Sequence, residues 1–310
     1  MFRAVLGISF AAVLLPLAAL SQGQSHADTI LTSPFLGLTE FLIEVPLGQT
    51  FIAPARCPGA TTTRYSLPEG KPAPICHLDT TAEQHLRATM SMGMHTNKTV
   101  YQSQTTMRGS SSAVSYRMAG SMTIDDDPSK YVMELNVDPK ADMMMKLDLG
   151  YGSARLDLSD TRMHALRIVS GAADVVICYN KPSAAPMKLM HLSGGMSKIV
   201  VRNLELARAA NVSIENAMGD TKIVVGNGMT SKSMVRIDVG AGSCTLLVHK
   251  DAPVKIILNS TIFSSAPVPE GFVKTGDNTF VSHAYKLHSQ EAMTLVIDLG
   301  LGSFELVPFE

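Results

Sequence analysis

The sequence predicts an all-β fold: a stacked repeat array, parallel β-solenoid-like, with about 23 residues per coil and a more irregular N-terminal β region. The first observation is the unit at 235–248, VRIDVGAGSCTLLV, in which two runs of alternating apolar residues flank a Gly-Ala-Gly-Ser turn. The second is that imperfect copies of this unit recur along the C-terminal two-thirds of the 310-residue chain. One copy cannot bury its apolar face alone, so the copies are expected to stack into a continuous core.

The turns recur at a nearly constant spacing. When the small or acidic residue after each turn is aligned, successive copies are 21, 23, 23 and 23 residues apart, and Ser264 follows 21 residues later. A last copy at 295–306 comes after an insertion at 267–289. The spacing predicts one coil per copy, with two strands in each coil. The aligned residues are Ser153, Asp174, Ser197, Asp220 and Ser243.

Glycines mark the corners of the predicted coils. Glycine adopts positive φ without a Cβ clash and lets neighbouring backbones approach closely. A structural role at the corners is therefore expected for Gly150, Gly152, Gly171, Gly194, Gly219, Gly240, Gly242, Gly300 and Gly302.

Three regions are predicted: a signal peptide at 1–27, an N-terminal β region at 28–142 and the repeat array at 143–310. Arg3 and the apolar stretch 4–20 have the pattern of a secretory signal, with cleavage expected after Ser21 or Ala27. An uncleaved anchor is the alternative, at the short limit for a spanning helix. No later segment is apolar enough to span a bilayer, so the mature protein is expected to be secreted, periplasmic or extracellular.

Composition argues against several ligand classes. The formal net charge is −1, so no basic excess exists to bind nucleic acid. Aromatic residues make up 5% of the chain and Trp is absent, which weakly disfavours a sugar-binding groove lined with rings. The expected partner is a protein or an envelope polymer.

The cysteines nearest the N-terminus predict a disulfide. Cys57 and Cys76 bracket a loop rich in Gly, Pro and Thr, and an oxidising compartment favours their pairing. Zinc is the alternative, because His77, His85 and His95 are nearby, but the spacing fits no compact zinc pattern. No metal and no cofactor are expected.

The array offers one weak candidate binding site, at Glu215, Asp238 and Arg236. Strand alternation predicts that both carboxylates point outward from successive coils, about 5 Å apart, where they could hold a cation or a catalytic acid. We prefer the other interpretation, a solvent-exposed polar face with Arg236 and Arg167 nearby to neutralise the carboxylates. Asp148 and Asp298 occupy the equivalent position in other coils, and Val169 and Leu192 are expected to interrupt the row. No catalytic residue is predicted.

The repeated motif Asp-apolar-Gly-x-Gly-Ser, at 147–153, 237–243 and 297–303, resembles the toast-rack domains. These include the C-terminal domain of LiaF-like cell-wall-active antibiotic response proteins. The resemblance implies an all-β domain at the cell envelope and, in some members, a role in sensing envelope stress. It implies no catalytic residues. This chain departs from the LiaF pattern in having a signal peptide instead of several membrane helices.

Three functions remain open from the sequence. The first is a non-enzymatic secreted or cell-envelope module that binds a protein or surface polymer. The second is a regulatory partner in envelope-stress sensing, and the third is a carbohydrate-acting enzyme on a β-solenoid scaffold, for which Glu215 and Asp238 would supply the carboxylates. We expect the first, and therefore no enzymatic activity.

Overall fold

The computed structural model describes residues 24–31, 38–55, 60–67, 74–81, 85–92, 111–118, 132–228, 232–259, 270–276 and 278–310. These ranges are almost entirely β-strand, and the helical segments within them are short 3₁₀ turns at Leu204–Ala207 and Ala284–Lys286. The predicted all-β class is therefore confirmed.

The strands fall into an N-terminal group and a longer C-terminal group. The first contains β1 (Gln24–Leu31), β2 (Leu38–Pro54), β3 (Ala60–Leu67), β4 (Pro74–Thr81), β5 (His85–Met92), β6 (Ser111–Met118) and β7 (Val132–Val137). The second contains β8 (Asp142–Asp157), β9 (Arg162–Cys178), β10 (Met187–Met196), β11 (Ile199–Arg202), β12 (Ala209–Val225), β13 (Ser233–His249), β14 (Val254–Leu258), β15 (Phe272–Gly276), β16 (Thr279–Ser282) and β17 (Met293–Phe309).

Successive long strands pair in parallel, each with the next. β8 pairs with β9, β9 with the β10–β11 pair, that pair with β12, and β12 with β13, at offsets of 20 to 24 residues. Four residues separate the end of β8 from the start of β9, and they span at most about 14 Å. A straight 16-residue strand would span about 53 Å, so each long strand must fold back at its middle. We call one such folded strand with its return turn a coil.

Alternation along each strand separates the core from the surface. β13 has the burial pattern of a strand whose every second residue points inward, and Val235, Ile237, Cys244, Leu246 and Val248 are all fully buried. The equivalent residues of neighbouring coils join them in one continuous apolar core. Burial of this stacked apolar surface stabilises the array, because each coil covers the open side of the next.

The corner glycines allow backbones of successive coils to approach closely. Gly152, Gly219, Gly242 and Gly302 have φ between 121° and 145°, a region that side chains disfavour. A Cβ on Gly242 would overlap the carbonyl oxygen of Gly219, and one on Gly302 would overlap that of Gly242. Other predicted corner glycines lack positive φ, but a Cβ on Gly171, Gly240 or Gly300 would still crowd the carbonyl oxygen of the preceding coil.

The register of the third coil differs from the predicted alignment by one residue. β9 and β11 pair Val175 with Ile199, which places Lys198 and not Ser197 beside Asp174. Ser197 is instead buried, and its hydroxyl lies 2.8 Å from that of Ser170. Similarly, Ser193 and not Leu192 pairs with Val169. The cause is an extra residue in the preceding coil: β9 is offset from β10 and β11 by 24 residues, and these are offset from β12 by 22, so the averaged period of the sequence conceals the shift.

Both ends of the array receive a strand from a distant part of the chain. β2 pairs with β8 over Thr39–Ile52, and its other side pairs with β6 and β7. At the other end, the first half of β17 lies between β13 and β14. The hydrogen-bonded array thus extends across the predicted boundary at 142/143.

Some predicted features lie outside the described residues. These include Ser264, Cys57 and residues 1–23 of the predicted signal peptide. Cys76 lies in β4, where the structure describes only the backbone. β1 begins at Gln24, so it crosses the predicted boundary at residue 27.

Replacing Gly242 with alanine is expected to destabilise the fold by about 2–4 kcal/mol, because the substitution combines positive φ with a backbone overlap. Urea unfolding of the variant and the parent measures the loss. Gly271→Ala is the control, since Gly271 also has positive φ but a Cβ there has no described atom within 4 Å. Equal losses in both variants would show that the close approach between coils is not the cause.

Candidate functional site

The candidate site is a row of outward-pointing polar residues on neighbouring strands. Parallel pairing places Ser193 of β10 beside Glu215 of β12, Glu215 beside Asp238 of β13, and Asp238 beside Asp298 of β17. The backbone N–H of Asn259 donates to the carbonyl of Ile297, which puts Asn259 next in the row. Because these strands are in register, the row crosses them at one strand spacing per residue, about 4.8 Å. We call Glu215, Asp238 and Asp298 the carboxylate row.

Arg236 connects two members of the carboxylate row. It precedes Asp238 by two positions and therefore points outward on the same face. Its Nε donates to Asp238 Oδ2 at 3.0 Å, and its Nη2 lies 2.9 Å from Asp298 Oδ2. Asp298 Oδ2 has no aligned hydrogen-bond donor among the described residues, so its contact with Arg236 is an ion pair only. One guanidinium thus serves two carboxylates.

Glu215 has weaker partners and is the most exposed member of the row. Its side chain is 50% exposed, against 33% for Asp238 and 29% for Asp298. The Ser213 hydroxyl donates to Glu215 Oε1 at 3.1 Å, and His191 Nδ1 lies 4.0 Å from the same oxygen. Glu215 is therefore available to a cationic group from solvent.

The neighbouring carboxylates perturb the titration of Asp238. Burial raises the pKa of Asp238 above its ordinary value of 3.8, and the hydrogen bond and negative charge of Asp298 raise it further. Arg236 acts in the opposite direction on this pKa. The pKa of Arg236 is itself raised, chiefly by its hydrogen bond to Asp238, so the guanidinium stays charged.

An open groove lies beside the carboxylate row. Its volume is about 520 Å³, and it runs across β10, β12, β13, β17 and Asn259. One wall is the polar row, and the floor is backbone, because the residues next to the corner are Ala217, Gly240 and Gly300. The remaining lining residues are Ser193, Gly194, Glu215, Asn216, Asp238, Val239, Asn259, Asp298 and Leu299. Three carboxylates and one guanidinium leave this wall negatively charged.

The arrangement of these groups suits a cationic partner better than a metal ion. The carboxylates are spread along a line, and Arg236 lies against two of them. No group of three or more His, Cys, Asp or Glu in the described ranges is placed to hold a metal. Asp148, which occupies the same row nearer the N-terminus, is paired with Lys146 at 2.9 Å and separated from Glu215 by Val169 and Ser193.

Sequence reasoning identifies part of this groove. It places Glu215, Asp238 and Arg236 on one face, as the structure does. It assigns Leu192 to the position that Ser193 holds, and it omits Asp298 and Asn259 from the site. The motif at 297–303 predicts Asp298 at the equivalent position of another coil, but the 60-residue offset between β13 and β17 conceals that these two strands are neighbours.

The described cysteines lie away from the groove. Cys244 is fully buried, and burial raises the pKa of its thiol to about 12. Cys178 is half-buried, and its thiol donates to the carbonyl of Leu156 at 3.5 Å. Both are free thiols in this structure.

Comparisons with known proteins do not identify the chain. No protein-family profile matches the sequence, and no curated protein matches it. A crystal structure of a proposed cell adhesion protein from Clostridium sporogenes aligns over 93% of this chain and 100% of its own, at 14% identity and a TM-score of 0.43. A match this loose does not establish a shared fold or function. Across the described ranges, no helix combines the length and apolar character needed to cross a membrane.

Substituting Asp298→Asn is expected to lower the pKa of Asp238, because a neutral amide replaces the neighbouring negative charge. Titration of the Asp238 carboxyl carbon by NMR measures the change. Because folding raises the pKa of Asp238, the protonated carboxyl stabilises the folded state below pH 3.8. This stabilisation is lost as the pH rises through the pKa of Asp238 in the folded protein. That loss should be smaller in the variant. Asp148→Asn is the control, and an equal effect there would contradict the assigned coupling.

Proposed function

We propose that this chain is a non-enzymatic secreted or cell-envelope module that binds a protein or envelope polymer through the groove. The observation that carries the proposal is the negatively charged wall formed by Glu215, Asp238 and Asp298 on three adjacent strands. In-register pairing holds these groups at fixed spacing, so little conformational entropy is lost when a partner engages them.

The chemistry of the groove favours binding over catalysis. A catalytic acid needs a water-excluded setting and a reacting atom held close to it. Here the groove is open, Glu215 is half-exposed, and Asp238 and Asp298 are engaged by Arg236. Exposed carboxylates at regular spacing instead provide electrostatic complementarity to a basic surface.

The coil geometry supports a fold of toast-rack type. The motif residues at 147–153, 237–243 and 297–303 form the corners, and the second glycine of each motif has positive φ. Parallel coils with short returns and a continuous core are what a β-solenoid requires. The resemblance to toast-rack domains implies an all-β domain at the cell envelope, with no catalytic residues to transfer.

The sequence pattern of the N-terminal segment supports export, and the position of β1 favours one of the two predicted signal-peptide cleavage sites. β1 pairs with β3 from Gln24 to Leu31. Cleavage after Ala27 would remove half of this strand, whereas cleavage after Ser21 would leave it whole.

We therefore expect the mature protein to begin at Gln22, because this end preserves all eight pairs between β1 and β3. N-terminal sequencing of the protein exported by cells expressing the full chain tests this. A mature chain that begins at Asp28 would contradict it, and an intact Met1 would indicate the uncleaved anchor.

Binding is tested by co-sedimentation of the exported full-length product with envelopes of the source cell, before and after protease treatment. The triple variant Glu215→Gln, Asp238→Asn, Asp298→Asn should lose at least three-quarters of the sedimented protein, because it removes the charged wall. The matched control Asp148→Asn, Asp251→Asn, Glu291→Gln changes charge equally outside the groove and should bind like the parent.

The outcomes separate the partner classes. Protease-sensitive binding would identify a protein partner, and protease-resistant binding would identify a polymer. Binding that is equal in the two triple variants would exclude the groove, and absence of sedimentation by the parent would contradict the proposed function.

A further inference from the structure

An exposed apolar ridge runs along the corners of the coils, beside the groove. It consists of the middle residue of each Gly-x-Gly-like corner, aligned across the strands as Tyr151, Ala172, Met196, Met218, Ala241 and Leu301. The four large side chains are 50%, 61%, 48% and 73% exposed for Tyr151, Met196, Met218 and Leu301. Large apolar side chains lined up on a surface commonly mark an interaction site.

The ridge lies next to the groove, three positions along each strand from the polar row. Each ridge residue follows the corresponding member of the polar row by three positions, as Met218 follows Glu215 and Leu301 follows Asp298. Three extended residues span about 10 Å, which is close to the diameter of an α-helix with its side chains. Two residues separate row and ridge in these coils: the first is buried, as are Asn216, Val239 and Leu299, and the second is Gly or Ala, so no large exposed side chain stands between them.

We propose that the groove binds a basic amphipathic α-helix of a partner protein, lying across the strands. Its Lys or Arg side chains would face the carboxylate row, and its apolar side chains would pack against the ridge. This inference rests on the binding function proposed above and narrows the partner from a protein or polymer to one class of protein segment.

The spacing of the strands favours a helix over an extended peptide. One helical turn rises 5.4 Å, and successive carboxylates lie about 4.8 Å apart, so basic residues one turn apart stay aligned with Glu215, Asp238 and Asp298. An extended peptide presents side chains of one face about 6.7 Å apart and would lose alignment after one strand. The groove also lies on a face of the array, where strand backbones are already paired with their neighbours.

The charges and the chemistry of the ridge agree with this partner. The wall carries three carboxylates against one guanidinium, which attracts a cationic segment and repels an anionic membrane. Methionine adapts its shape to the surface it contacts, and Met196 and Met218 lie at the centre of the ridge. Apolar contact on one side and ion pairing on the other would select a helix in which the two kinds of residue occupy adjoining faces.

The test uses an 18-residue peptide of Leu and Lys arranged as an amphipathic helix, and a scrambled peptide of the same composition. Such a helix is about 27 Å long, which exceeds the length of the groove, and it is only partly formed in water. Titration with the full-length exported protein should give a Kd in the range of about 1–50 μM for the amphipathic peptide. Circular dichroism should show a gain of peptide helicity on binding, and the scrambled peptide should bind at least tenfold more weakly.

Variants test whether binding depends on the carboxylate row and on the ridge. The carboxylate triple variant and a ridge variant, Met196→Gln, Met218→Gln, Leu301→Gln, should each weaken binding at least tenfold. The matched control is Leu189→Gln, Met234→Gln, Leu287→Gln, which changes three exposed apolar residues outside the groove and should weaken binding less than twofold. Thermal unfolding of each variant verifies that its fold is retained.

Several outcomes would overturn the helix proposal. Equal Kd values of the two peptides, or no binding of the amphipathic peptide below 0.1 mM (about −5.5 kcal/mol), would contradict it. No gain in peptide helicity on binding, or a ridge variant that binds the peptide like the parent, would also contradict it. So would tighter binding of the protein to phosphatidylglycerol vesicles than to the amphipathic peptide. Co-sedimentation of the ridge variant with envelopes distinguishes failure of the helix proposal from failure of the proposed binding function. Envelope binding that depends on the carboxylate row but not on the ridge would support the proposed binding function and contradict the proposal that the partner is an amphipathic helix.

Discussion

Backbone hydrogen bonding between parallel coils is the constraint on which the rest of the structure depends. It fixes which residues are neighbours across strands, and so it converts a repeated motif into rows of like side chains. Inward rows form the core, and outward rows form the surface. The corner glycines make this register attainable, since a Cβ on Gly242 or Gly302 would separate adjacent coils. The groove is a direct product of that register, because no single coil contains more than one of its carboxylates.

The strands at the two ends of the array cover edges that the parallel repeats would otherwise leave open. A stack of parallel strands leaves an open edge at each end, which is a template for aggregation. Here β2 and the first half of β17 each lie between two other strands, and antiparallel strands lie beyond them, β3 against β7 and β16 against β14. Mixing strand directions interrupts the repeat pattern at the positions where continued stacking would otherwise be easiest.

Much of the array could be predicted from the sequence because its signals are local. Alternation within 235–248 predicts which side chains point inward, and the recurring Gly-x-Gly corner predicts the coil. What could not be predicted depends on contacts between distant residues. The extra residue in the coil of β9 moves Ser193 and Lys198 into the rows predicted for Leu192 and Ser197. The pairing of β13 with β17 depends on a 60-residue offset, so Asp298 joins Asp238 only in three dimensions.

The position of β17 has a consequence for the order in which the protein is assembled during synthesis. β13, β14, β15 and β16 all leave the ribosome before β17, yet β17 must lie between β13 and β14. Contacts of long sequence separation form slowly, so the coil of β17 completes the stack after the strands that precede it in the chain. Asp298 and Leu301 arrive with β17, so the carboxylate row and the apolar ridge remain incomplete until then. Any premature stop upstream of residue 293 would therefore produce an array that lacks Asp298, Leu299 and Gly300, and with them one side of the groove lining.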